Sequence, residues 1–437
     1  MKTTLQKLIG GILSVSICGL SLVGCVTTPP NETASQRETA ESVASTESVG
    51  SAESSTEEQA VRYWRDTRNF GIRVEDGVMY LGQEILYEAG VNCYNLFNQC
   101  IADGYSSKKA KETLDILARH DIGVVRFNCG GYGSDYIKGY FAEKTAYLNL
   151  LREIAEYAET LEIGLIPSFF WLHHAVPDYY DEPIRAWGNG DSATVGFLQS
   201  YTEEVVRALK DYKAIFAWEF GNEFNLACDL PNAAEHMPAL PVNSKRPSRT
   251  EEDYLSAEDV KFALEKFSAT ILRLDDTGRM ITSGNATLRP SQYHQLQENS
   301  WAQDSILDYK KITAIFTPDG VDTVSEHVYF TSQTTFGQEL TLAEYLQYAT
   351  TNAKLLKKAY FVGEWGGGSS NDRAYYSEIG NAFVEAGVQL ALLWNFNAVD
   401  GSVEYSFSAD TDRGEMLLSV IAEMNAAYET KYYTSDK

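Results

Sequence analysis

The sequence predicts an α/β chain folded as a single (β/α)8 barrel of the TIM type, with an N-terminal β-hairpin and loop insertions. Three observations predict it. Short apolar runs recur about every 43 residues between residues 89 and 394. Most of these runs are followed by a longer stretch with helical periodicity, the rhythm of parallel strands joined by crossover helices. And 437 residues, 44% of them apolar, suffice to bury one large core.

The elements follow in chain order. Residues 1–24 read as a signal peptide: Lys2 and Lys7 precede an apolar run from Leu8 to Leu20. The run ends in Leu22-Val23-Gly24-Cys25, which resembles a bacterial lipobox and implies cleavage before Cys25 and acylation of that residue. Residues 25–60 then form an acidic tether rich in Ser, Thr and Glu, with seven Glu against one Arg beyond Cys25 and almost no large apolar side chain. Such a stretch cannot bury enough surface to fold. The expected location is the extracytoplasmic face of a bacterial cell membrane, with the lipid on Cys25 as anchor.

The folded domain is expected over 61–437. Alternation around Asp76-Gly77 predicts a hairpin within 70–87. Strands are predicted at 89–95, 122–128, 163–169, 214–221, 279–284, 322–329, 359–364 and 388–394. Helical segments are predicted at 107–119, 147–161, 194–210, 257–275, 341–357 and 373–386, with a closing helix at 413–427. The largest insertion, roughly 225–256, follows the fourth strand and carries Pro231, Pro238, Pro241 and Pro247. In such barrels that side forms the rim of the site.

The net charge of −25 argues against nucleic acid and anionic lipid surfaces as partners, because phosphate affinity comes from Lys and Arg. Tyr 27, Phe 19 and Trp 7 make an aromatic-rich chain, compatible with sugar binding. Four cysteines remain after the signal and the anchor: Cys93, Cys100, Cys129 and Cys228. They show neither a CxxC pair nor metal-ligand spacing, so disulfides are possible with pairing unassigned. His173-His174 with Asp178 and Asp181 is a poor metal site, since adjacent residues on an extended segment point to opposite sides. No cofactor or metal is expected, and the chain is expected to be a monomer.

Catalytic side chains in a (β/α)8 barrel stand at the C-terminal ends of the strands. There the sequence places Asn92 and Tyr94 on strand one, Arg126 on strand two, Trp171 after strand three, and Asn222-Glu223 after strand four. Strand six supplies His327 and Tyr329, strand seven Glu364 and Trp365, and strand eight Trp394. Two glutamates facing each other across the mouth match retaining glycoside hydrolysis, in which the carboxyl groups stand about 5–5.5 Å apart. One must be protonated to donate to the leaving oxygen, and the other ionised to attack the anomeric carbon. Arg126 would hold Glu364 anionic, Tyr329 would donate to it, Asn222 would bind a sugar hydroxyl, and Trp394 would stack under the ring. Glu219 is a rival on strand four: regular alternation puts it on the same face as Glu223, and a bulge near Gly221 would break that parity.

From about residue 70 to 427 the chain resembles a clan A glycoside hydrolase, most closely family 5, the cellulase and β-mannanase family. Arg126, Asn222-Glu223, His327-x-Tyr329, Glu364 within Gly-Glu-Trp-Gly, and Trp394 carry the likeness. The resemblance implies Glu223 as acid/base and Glu364 as nucleophile, with β-mannan or β-glucan as substrate class. Asn92, Trp171 and Trp365 complete the expected substrate-binding set with Arg126, Asn222, His327, Tyr329 and Trp394. Two positions depart from the family pattern: Phe224 stands where Pro is usual after the acid/base, and strand three runs into Phe169-Phe170-Trp171, where a His is common. Two other readings stay open: a solute-binding lipoprotein of a sugar importer, which requires two Rossmann-like lobes, and a barrel that binds glycan without cleaving it.

Overall fold

The computed structural model describes residues 71–130, 133–367, 371–397 and 405–433. The signal peptide, Cys25, the tether and the first residues of the predicted domain lie outside them. The described part of the chain opens on a three-stranded antiparallel sheet of β1 (Ile72–Glu75), β2 (Val78–Leu81) and β3 (Glu84–Ile85). Asp76 and Gly77 both take positive φ, 48° and 83°, so the β1–β2 turn has the twist hairpins favour. Ile72, Met79, Leu81 and Leu86 of this sheet pack on Val124, Ile166, Met280, Phe361 and Leu392, which line the N-terminal end of the barrel. The Gln389 side chain bolts it down, accepting from Met79 N at 2.8 Å and donating to Met79 O and Leu86 O at 3.0 Å. The bottom of the barrel is therefore plugged, and chemistry is left to the opposite mouth.

The barrel strands are β4 (Glu88–Asn92), β5 (Val124–Asn128), β6 (Gly164–Phe170), β7 (Ala217–Gly221), β8 (Met280–Thr282), β9 (Thr323–Val328), β12 (Ala359–Trp365) and β13 (Leu390–Leu393). All pair in parallel, in the order β8-β7-β6-β5-β4-β13-β12-β9. The two ends of that order meet: Asp322 N donates to Ile281 O at 2.7 Å, Ile281 N donates to the Asp322 carboxylate at 2.8 Å, and Thr323 Oγ1 donates to Thr282 Oγ1 at 2.7 Å. The sheet is thus an eight-stranded barrel, as the sequence predicts.

Each predicted helix is present within a few residues of its expected bounds, from Lys108–Arg119 to Asp412–Tyr428. One further crossover helix, Ile306–Phe316, joins β8 to β9. A small hairpin of β10 (Ser332–Thr335) and β11 (Gln338–Thr341) follows β9. Cys93, Cys100, Cys129 and Cys228 are buried free thiols, and burial pushes Cys93 up to about 12. Among the described residues no helix is long and apolar enough to cross a membrane.

Candidate active site

The site is built around a guanidinium. Arg126, central on β5, points into the barrel and is 0% exposed. Its Nε donates to Glu219 Oε1 at 2.7 Å, and its Nη1 to Glu364 Oε1 at 2.7 Å and Asn92 Oδ1 at 2.9 Å. Its Nη2 donates to Asn222 Oδ1 at 2.8 Å. One planar fork thereby fixes groups from β4, β7 and β12, the use for which Arg is suited and Lys is not.

Asn92 is spent in the same way. Its Nδ2 donates to Gly363 O at 2.9 Å and Leu392 O at 3.1 Å, tying β4 to both neighbours of the site. With no exposed surface, Asn92 and Arg126 brace the carboxylates from below and offer no face to a sugar, and Arg126 takes the place beside Glu364 expected of it.

Glu364 owes its direction to a bulge. On β12, Phe361 faces the barrel interior and Tyr360 and Val362 the helix layer. A regular strand would continue with residue 364 outward and 365 inward. The register of β12 against β9 shifts between Val362 and Glu364, where Gly363 is the extra residue. Parity inverts: Glu364 turns into the mouth and Trp365 out of it. Trp365 is 0% exposed, with its ring 5.7 Å from Phe383 in the helix layer. Its expected place in the substrate-binding set is therefore wrong, and the bulge is the reason. A Cβ at Gly363 would stand 3.0 Å from His327 Nε2, so a larger residue there would press on that ring.

Glu223 arrives by a different device. β7 ends at Gly221, and Glu223 takes the left-handed conformation, φ 55° and ψ 29°. Strand parity ends with it, so Asn222 reaches Arg126 while Glu223 reaches His327. Glu219, the rival, sits deeper, fully buried against Arg126.

His327 on β9 places Nδ1 2.8 Å from Glu223 Oε1 and 3.5 Å from Glu364 Oε2. Tyr329 donates its hydroxyl to Glu364 Oε2 at 2.7 Å. Glu326, between the inward-facing Ser325 and His327, faces the helix layer and accepts from Tyr309, Tyr345 and Tyr360. An oxygen of Glu223, an oxygen of Glu364 and a nitrogen of His327 all lie within 4.8 Å of one another. That cluster is tight enough to hold a cation, yet Arg126 already supplies Glu364 with a positive partner.

Burial pushes Glu223 up to about 7, against the pull of Arg126. Burial, with Glu223 nearby, raises Glu364 above the ordinary carboxylate range, and His327, Arg126 and the Tyr329 hydroxyl offset only part of that rise. Burial lowers His327 to about 4, so its ring is neutral at pH 7.

An aromatic floor lies beside the carboxylates. Trp394, half-buried after β13, stacks with Tyr94 at 5.7 Å and 24° and with Trp171 at 6.1 Å and 28°. Trp171 is only 5% exposed and lies 4.8 Å from the Arg126 guanidinium, so it backs the floor and offers little face of its own. His173 and His174 do not converge on a shared site: His174 Nδ1 pairs with Asp178 at 2.9 Å, and Arg249 reaches the same carboxylate from the insertion after β7.

The family model for cellulase (glycosyl hydrolase family 5) matches residues 87–400. Among solved structures, an endo-1,4-β-mannanase from Rhizomucor miehei is similar at 14% identity and TM-score 0.60, covering 82% of this chain and 99% of its own. An endo-β-1,4-mannanase from Thermotoga petrophila is similar at 16% identity and TM-score 0.51, covering 82% and 79%. A glycoside hydrolase family 5 mannosidase from Rhizomucor miehei is similar at 10% identity and TM-score 0.53, covering 82% and 99%. No curated protein matches the chain. At such identities the solved structures bear on the fold, and the family model, spanning the barrel and every side chain of the site, shows that the chain belongs to glycosyl hydrolase family 5 and is a glycoside hydrolase.

Proposed function

We propose that this chain is a retaining β-glycoside hydrolase acting on a β-mannan or β-glucan, with Glu223 as acid/base and Glu364 as nucleophile. One observation carries the reading: oxygens of the two carboxylates lie within 4.8 Å. Retaining enzymes hold the pair about 5–5.5 Å apart, whereas inverting enzymes leave about 6.5–9.5 Å for a water. In the first step Glu364 attacks the anomeric carbon from below. Glu223, a quarter exposed and pushed up to about 7, gives its proton to the leaving oxygen. In the second step Glu223, now anionic, takes a proton from water as that water displaces Glu364 with a second inversion. Arg126 and Tyr329 offset the charge on Glu364 before attack and as it re-forms.

The mannan side of the substrate class is supported by the mannanases and mannosidase among the structural relatives. Attachment to the outer face of the membrane through Cys25 is part of the same proposal, resting on the lipobox-like residues 22–25. A sugar-importer receptor would need two lobes, where the described residues form one barrel. The test is hydrolysis of a panel of β-mannans and β-glucans by the wild type and by Glu223→Gln and Glu364→Gln. Release of reducing ends by the wild type alone is expected. Binding without cleavage on every polymer would leave the glycan-binding barrel standing.

A further inference from the structure

Glu223 stands in the left-handed region, φ 55°, a conformation that a non-glycine residue keeps only where the surroundings over-determine it. The surroundings are specific. Glu223 N donates to Gly284 O at 2.8 Å. The next residue, Phe224, is 1% exposed, its ring 5.0 Å from Phe220, 5.4 Å from Trp187 and 6.1 Å from His173. Trp187 is itself held, its indole N–H donating to His173 O at 2.6 Å. On the other side Asn225, fully buried, donates to Ala286 O and accepts from Ala286 N, both at 2.9 Å, a side chain imitating a strand partner. Arg289 and Gln292 each hold Asn225 O at 3.2 Å. The turn is thus gripped by the loop after β6 through Phe224 and by the loop after β8 through Asn225.

We propose that Phe224 and Asn225 are positioning residues that clamp the left-handed turn and so aim the Glu223 carboxyl at the leaving oxygen. The idea rests on Glu223 being the acid/base. If the turn relaxes toward an ordinary conformation, the carboxyl swings away from His327 and from the scissile bond, while Glu364 and the Arg126 network, anchored on β5 and β12, stay in place.

The experiment measures kcat/KM for a series of aryl β-glycosides, from dinitrophenyl to unactivated phenols, with Phe224→Ala, Phe224→Leu, Asn225→Ala and Asn225→Asp, each alone and combined with Glu223→Gln. Near-ultraviolet circular dichroism selects folded variants. Phe224→Ala is expected to lose at least tenfold on the poorest leaving group and less than twofold on dinitrophenyl, with Phe224→Leu restoring most of the loss. Asn225→Ala and Asn225→Asp should show the same selectivity, so the test survives if one position fails to fold. Combined with Glu223→Gln, neither position should cause a further loss. Equal losses across all leaving groups, or undiminished losses in the Glu223→Gln background, overturn the clamp and leave the two residues merely structural. Should Glu223→Gln alone spare the poor leaving groups, the acid/base assignment falls and the clamp with it, a result distinguishable from the others by that single variant.

Discussion

Arg126→Met tests whether the site is organised by one buried guanidinium. The substitution keeps an unbranched apolar stem and removes the guanidinium with its charge. It strands two carboxylates, Glu219 and Glu364, whose side chains are 0% and 5% exposed. Removing one partner of a buried ion pair typically costs about 3–5 kcal/mol, because the remaining charge stays buried without compensation. The loss should depend on pH. A stranded carboxylate prefers its proton, so its folded pKa rises above the unfolded value of about 4.3. Such a group destabilises the fold increasingly as pH rises past the unfolded value. Urea midpoints at pH 5 and pH 8 are the assay. The deficit relative to wild type should reach that 3–5 kcal/mol range at pH 8 and shrink at pH 5. Arg126→Met/Glu219→Gln should recover about half of it, one of two stranded charges having been removed. A variant as stable as wild type at pH 8, or a Glu219→Gln substitution that deepens the loss, would show that Arg126 does not organise the site.

Other outcomes follow from the same geometry. The pH profile of kcat/KM should fall on the alkaline side with a midpoint near 7, because the proposed acid/base role requires a protonated Glu223 and burial pushes it up to about 7; Glu223→Gln should abolish that limb. Glu364→Ala should be nearly inactive and partly rescued by azide with an inverted product. Glu223→Ala should instead accept activated aryl glycosides and be rescued by azide with retention, since proton transfer contributes about 10²–10⁴-fold and the covalent bond is separate from it. Cys25→Ser should release the protein from the membrane fraction without loss of activity, and a chain beginning near Val61 should fold and cleave substrate; wild-type protein found without lipid on Cys25 would sink the anchor.

The barrel was legible because parallel strands buried on both faces are near-continuous apolar runs, and eight of them recur with helical stretches between most. The helix Ile306–Phe316 was not, since Ile306 and Leu307 are exposed at its start and blur the stripe formed by Tyr309, Ile312 and Phe316. Its capping box of Ser305 and Asp308 was the readable sign. Glu223 and Glu364 were singled out because they end strands four and seven, and the described geometry brings them together with Arg126, His327 and Tyr329. Which neighbours join them was harder to read. Trp365 is one residue from Glu364, yet the bulge at Gly363 sends the two to opposite sides. Asn92 and Arg126 sit on inward positions, but sequence does not show that each other's atoms, and those of Glu219, Asn222 and Gly363, consume their hydrogen-bonding capacity. Long-range partners of this kind are fixed by strand register, which periodicity alone leaves open.

In the proposed mechanism Glu364 forms a covalent bond to the sugar while Glu223 shuttles the proton. Incubation of wild-type enzyme with a 2-deoxy-2-fluoro glycoside bearing a dinitrophenyl leaving group, followed by peptide mass spectrometry, tests it most directly. One fluoroglycosyl group is expected on the peptide containing Glu364, with loss of activity that recovers as the adduct turns over. A label on Glu223, or no label from an enzyme that releases product of inverted configuration, would contradict it.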